Sequence, residues 1–123
     1  MGLAACAGQS ASAWLTYQRN GGFAGADDRL SIASDGAASL SHKGQIYSFT
    51  VAADQIQRIQ QALDAADFAH LPTESLPDNM CCDLFEYRVT YMGRTVHAMD
   101  TAIPQSLQMV LDLLNEIVDS KGV

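Results

Sequence analysis

Basic residues are scarce in this chain: seven Lys and Arg stand against fourteen Asp and Glu in 123 residues, a net charge of −7. The seven are scattered singly, whereas neutralising a phosphate backbone needs clustered cations. Nucleic acid is therefore excluded as a partner, and so is an anionic membrane surface. No stretch approaches the roughly 18–20 consecutive apolar residues of a membrane-spanning helix. Charged residues make up only 17% of the chain against 48% hydrophobic, which excludes the composition of a disordered polypeptide. Catalytic signatures are missing too: there is no G-x-S-x-G, no H-E-x-x-H, no P-loop and no Rossmann fingerprint. What is present is one small acidic domain, long enough to bury roughly two-thirds of its unfolded surface without a metal or disulfide staple.

Only three cysteines occur. Leu3-Ala4-Ala5-Cys6 resembles the lipobox of bacterial lipoproteins, whose cysteine is lipidated, and Ala7–Ala13 reads as a flexible Ala/Ser/Gly/Gln tether. The five residues before Cys6 are too few for the charged and hydrophobic run of a leader, so a residual box is expected over residues 1–13. The expected setting is then the bacterial cell envelope, lipid-anchored through Cys6 or periplasmic or secreted. Cys81 and Cys82 are adjacent, and can form a strained vicinal disulfide, pair with other chains or stay reduced. No C-x-x-C exists, and His70 and His97 stand at no ligand spacing from the pair, so no metal and no cofactor is expected.

Residues 14–123 read as a single α+β domain. Trp14–Arg19 is a first strand, followed by a glycine-rich break, Asn20–Gly25. Arg29–Ala33, Ala37–His42 and Gln45–Val51 form a meander. With Ser34-Asp35-Gly36 as a three-residue loop, Leu30 faces Leu40 and Ile32 faces Ala38. With Lys43-Gly44 as a two-residue loop, Leu40 faces Tyr47 and Ala38 faces Phe49. Both turns gather one apolar face, and a one-residue slip would break it. Ser31, Ala33, Ser39, Ser41, Ser48 and Thr50 fall on the other, wet face. Then the period changes: Ile56, Ile59, Leu63 and Ala66 recur at helical spacing within Asp54–Ala66. Phe68, Leu71 and Pro72 close that helix, and a loop runs from Thr73 to Asp83. Phe85, Tyr87, Val89 and Tyr91 alternate as a strand, and Met92-Gly93 turns the chain so that Val96 faces Val89 and Ala98 faces Tyr87. A second helix follows Pro104 to about Ser120, with Leu107, Val110, Leu111, Leu114, Ile117 and Val118 as its stripe. The expected fold is an antiparallel sheet of about six strands, β-β-β-β-α-β-β-α, with both helices on one face.

Candidate chemistry is thin. His97 falls opposite Arg88 on the outer face, as an exposed histidine; His42 falls opposite Asp28, as a surface ion pair; His70 complements the carbonyls ending the first helix. A thiol enzyme would need Cys81 or Cys82 beside His70 or His97, and no third group orients either histidine. Asp27-Asp28 form an acidic lip or keep a sheet edge soluble. Asp78-Asn79 and Asp83 lack the 1-3-5 spacing of a calcium loop. Asp112, Glu116 and Asp119 form a solvated helix face. No catalytic residue is assigned, and the chain is not read as an enzyme. The exception to this blandness is Phe23, a large apolar residue among slim glycines. It either folds back as a plug or projects towards a partner.

A strand ending in a polar residue before Gly21-Gly22-Phe23-Ala24-Gly25 is similar to the opening of the emfourin-like proteins. Ala65-Ala66-Asp67-Phe68 with Leu71-Pro72, Phe85-x-Tyr87-x-Val89-Thr90, and the Leu111–Ile117 run extend the resemblance over Trp14 to Val118. It implies a reversible protein inhibitor that occupies the active-site cleft of thermolysin-like zinc metalloproteases. The implied partner-binding residues are Gly21, Gly22, Phe23, Ala24 and Gly25 with Asp27 and Asp28. A second loop, Asp78, Asn79, Met80, Cys81, Cys82 and Asp83, is expected to assist. The expected state is a monomer with a protein partner. The alternative is a lipid-anchored envelope interaction module with no protease target, using the Ser-rich sheet face or the acidic surface.

Overall fold

Alternating apolar residues and glycine-bearing turns build a sheet whose apolar face is then covered by the two amphipathic helices. A computed structural model describes residues 13–22, 25–78 and 84–121. The elements are β1 (Leu15–Gly21), β2 (Ala26–Ile32), β3 (Ala37–His42), β4 (Gln45–Thr50), α1 (Ala53–Ala65), a 3-10 turn (Phe68–His70), β5 (Glu74–Ser75), β6 (Phe85–Tyr91), β7 (Arg94–Met99) and α2 (Gln105–Lys121). They form one sheet in the order β4-β3-β2-β1-β6-β7-β5.

The expected registers hold. Leu30 faces Leu40 and Ile32 faces Ala38 across β2–β3; Leu40 faces Tyr47 and Ala38 faces Phe49 across β3–β4. Val89 faces Val96 and Tyr87 faces Ala98 across β6–β7. Gly36 takes the left-handed conformation the three-residue loop requires, at φ +96°, and its carbonyl accepts the Val51 N–H at 2.8 Å. The strand count needs correction: the sheet has seven strands and is mixed, because β5 pairs parallel to β7, Glu74 beside His97 and Ser75 beside Ala98. Two residues carry no period, so nothing local announces β5; the rest of the sheet supplies its partner. β1 and β2 are also longer than the alternation suggests, with β1 ending at Gly21 and β2 beginning at Ala26.

The join in the middle of the sheet is non-local. β1 lies antiparallel to β6, with Leu15 facing Tyr91, Tyr17 facing Val89 and Gly21 facing Phe85. Leu15, Tyr17, Leu30, Ile32, Leu40, Val89 and Val96 of the sheet are buried with Ile59 and Leu63 of α1 and Leu107, Val110, Leu111, Leu114 and Val118 of α2. All belong to one core, which places both helices on one sheet face. Each fully buried Leu or Ile contributes about 1.5–3 kcal/mol by leaving water. α1 ends where Asp67 turns left-handed, at φ +53°, and Phe68 tucks back into the core.

Candidate functional site

The end of β1 and the start of β6 meet at one end of the sheet. Gly21 closes β1 directly beside Phe85, which opens β6. The Gly22 N–H donates to the Leu84 carbonyl at 3.2 Å, and the Gly25 N–H donates to the Gly22 carbonyl at 3.2 Å, closing a tight tip. Gly22 sits at φ +76°, and a Cβ there would stand 2.7 Å from the Phe85 ring. Only glycine tolerates both the backbone angle and that approach. Gly21, Gly22, Gly25, Asp27, Asp28 and Asp78 are therefore located; Phe23, Ala24, Asn79, Met80, Cys81, Cys82, Asp83 and Cys6 lie outside the described residues.

The two neighbouring aspartates separate. Asp27 points to the outer face with its side chain 63% exposed, 3.6 Å from Arg29 Nε. Asp28 is not part of an acidic lip: it is 2% exposed, on the core face. Strand alternation carries Leu15 and Tyr17 on to Arg19 and, across the hairpin, Ile32 and Leu30 on to Asp28, so these charges finish the apolar rows. The Arg19 guanidinium donates to Asp28 Oδ2 from Nε at 3.0 Å and from Nη2 at 2.8 Å. It also donates to Asn115 Oδ1 at 3.2 Å and Asp119 Oδ1 at 3.1 Å on α2. Its Cζ lies over the Phe85 ring, 5.9 Å from the ring centre. Burial would lower the Arg19 pKa, but the hydrogen bonds to Asp28 and Asp119 outweigh it and raise the pKa above its ordinary value. Tyr17, whose hydroxyl donates to Asn115 Oδ1, is pushed up by burial.

Asp28 Oδ1 is also paired with His42 Nδ1, so the expected contact exists; it is buried rather than on the surface, with the His42 side chain 15% exposed. A carboxylate orienting a histidine is half of a nucleophilic triad, but Ser41, the adjacent hydroxyl, belongs to the opposite face by alternation. Near β6, Asp100 accepts the Phe85 N–H at 2.9 Å and the Tyr87 hydroxyl at 2.9 Å, anchoring the strand at its exit from the second loop. Burial first, and the bond to Asp100 second, raise the Tyr87 pKa.

The remaining histidines divide. His97 is not plainly exposed: β5 brings Glu74 to 3.7 Å from Nδ1, Glu86 lies 3.7 Å from Nε2, and the side chain is only 14% exposed. His70 follows α1 as expected but pairs with Asp67, Nδ1 to Oδ1 2.8 Å, and stays exposed. Asp119 is exposed yet joined to Arg19, so it is more than a solvated carboxylate. The sequence reading gives no functional role to Arg19, Asn115, Phe85 or Asp100. For Arg19 and Asp28 a signal was available, since continuing the alternation puts both on the core face. For Asn115 and Asp100, α2 and β7 must first be docked. Among the described residues no group of three or more His, Cys, Asp or Glu could hold a metal ion. No described helix is long and apolar enough to cross a membrane.

No curated protein matches the chain. The emfourin family matches residues 34–115, two-thirds of the length, running from the β2–β3 loop through the second loop to most of α2. The glycine hairpin precedes the matched span. With the β3–β4 hairpin, the first helix, the β6–β7 hairpin and the second-loop region all inside that match, the chain belongs to the emfourin family.

Proposed function

We propose that this protein is a reversible inhibitor of thermolysin-like zinc metalloproteases that fills the active-site cleft with the tip of its β1–β2 hairpin. Membership of the emfourin family carries the inhibitor reading. The observation favouring this end of the molecule is the contact between Gly22, at the end of β1, and Leu84–Phe85, at the start of β6. A tip with slim glycine flanks can enter a cleft, and Phe23 would occupy an apolar subsite beside the scissile bond. Gly21, Gly22, Ala24 and Gly25 line its approach, Asp27 stands at the rim, and Asp78–Asp83 make the second contact. A tip held in its bound shape binds more tightly because less ordering is left to be done on association.

Titration of a thermolysin-like protease with the wild type and with Phe23→Ala tests this. Wild-type inhibition is expected, and the variant should bind about 30-fold to 1,000-fold more weakly, the effect of truncating a buried aromatic anchor. Absence of wild-type inhibition at micromolar concentration sinks the family-based reading, and unchanged affinity in Phe23→Ala sinks the loop assignment.

The same proposal places the protein in the bacterial envelope, through a lipid on Cys6. Growth with a labelled fatty acid should mark the wild type and leave Cys6→Ala unmarked. A second reading, an envelope interaction module without a protease target, is favoured by one feature: the Ser/Thr-rich outer sheet face carries an open depression of about 550 Å³ lined by Thr16, Ser31, Ser39, Thr90 and the 74% exposed Ile46. Recovery of a metalloprotease from envelope extract supports the first reading, and recovery of an assembly or cell-wall protein supports the second.

A further inference from the structure

We infer that Arg19 and Asp28, with His42 and Phe85, form a positioning device that holds the Gly22 and Gly25 backbone at the tip's base against Leu84 and Phe85. Its consequence for inhibition rests on the reading above; its consequence for the tip does not. Arg19 and Asp28 face each other across β1–β2, two residues before Gly21 and two after Ala26 respectively. They form the last cross-strand core-face pair before the Gly21–Ala26 pair that begins the tip. The guanidinium is held from β2 by Asp28, from α2 by Asn115 and Asp119, and by the ring of Phe85 from β6. A planar group with five donors transmits orientation in a way that an aliphatic side chain cannot.

Phe85 carries that orientation onward. Its ring lies against Arg19 on one side and close enough to Gly22 that a Cβ would stand 2.7 Å away. The carbonyl preceding Phe85 accepts the Gly22 N–H, and Asp100 holds the Phe85 N–H. An unbroken path therefore runs from Asn115 and Asp119 of α2 through the guanidinium and the ring to Gly22. Stability alone does not explain it, because well-packed apolar residues in place of a buried ion pair are commonly neutral or stabilising.

That equivalence supplies the test. The double variant Arg19→Met, Asp28→Leu removes both charges of the central pair, so neither is left buried alone; His42 and the exposed Asp119 lose a partner, and the domain should stay folded. Amide exchange at Gly22 and Gly25, whose N–H groups bond within this contact, should quicken about tenfold as the tip loosens, and affinity for a protease that the wild type inhibits should weaken about tenfold. Phe85→Leu, which leaves the ion cluster intact and removes the ring, should have the same effect on both glycines. Wild-type exchange at Gly22 and Gly25 in a folded double variant, or in Phe85→Leu should the double variant not fold, overturns the positioning role. Faster exchange with unchanged inhibition overturns its consequence for binding. A wild type that inhibits no protease removes the functional reading, and the exchange rates then decide the positioning role by themselves.

Discussion

The core face of the sheet is closed by opposite chemistries at its two ends. Beside the Met92-Gly93 turn the closure is aromatic: Trp14 and Phe68 meet Tyr91 edge-on, with ring centres 6.0 and 5.7 Å apart. Beside the glycine hairpin it is ionic, with Asp28 buried between Arg19 and His42. Both arrangements exclude water from the same core. The aromatic end does so through contacts that tolerate small shifts, while the ionic end ties charge to charge along defined directions. The glycines repeat the contrast. Gly93 has φ +75° and open space around it, so the turn needs only its backbone angle; Gly22 has φ +76° and a phenyl ring at the position of its absent side chain. One end of the molecule closes a fold. The other holds the end of β1 against the start of β6.

The largest expected break in that comparison comes from splitting the buried pair. Asp28→Ala takes the buried carboxylate from both Arg19 and His42, leaving the guanidinium only the exposed Asp119, and should cost about 3–5 kcal/mol in urea unfolding. Asp27→Ala, one residue away on the outer face, should stay within about 0.5 kcal/mol of wild type. Equal losses at the two positions would mean that the ionic end is no different from an ordinary surface.

A smaller separation is expected between the glycines. Gly22→Ala adds ring overlap to left-handed strain and should cost about 2–4 kcal/mol, with weakened protease inhibition. Gly93→Ala carries the strain alone, about 1–2 kcal/mol, with inhibition unchanged. Thermal unfolding and a protease titration on the same two samples check both statements. The smallest effect belongs to the aromatic closure. Trp14→Leu loses one edge-to-face contact, worth about 0.5–1.5 kcal/mol beyond its area, and should leave Gly22 and Gly25 amide exchange as in the wild type. Faster exchange at those glycines would show that the two ends are coupled through the sheet.

Much of the architecture was legible because it is locally encoded. The β2–β3, β3–β4 and β6–β7 registers follow from turn chemistry and period-two alternation, since a slip by one residue would send every apolar side chain to the wrong face. The two helices follow from stripes such as Ile59–Leu63 and Leu107–Val118. β5 escaped because two residues have no pattern, and its absence made His97 look exposed. Asp28 was misplaced for a different reason. Beside Asp27 it reads as part of an acidic cluster, although the alternation of Ile32 and Leu30 already pointed it inward.

The amino-acid sequence by itself determined the α+β class, three hairpin registers, two amphipathic helices and the resemblance that the family match bears out. Tertiary structure alone decided that β6 inserts beside β1, and with it that Gly21 and Gly22 lie against Leu84 and Phe85. It also decided that α2 supplies Asn115 and Asp119 to a guanidinium roughly a hundred residues earlier in the chain. The division has a physical cause. Turn angles and side-chain alternation act within a few residues, whereas strand insertion and ion-pair burial depend on which distant apolar faces close over one another.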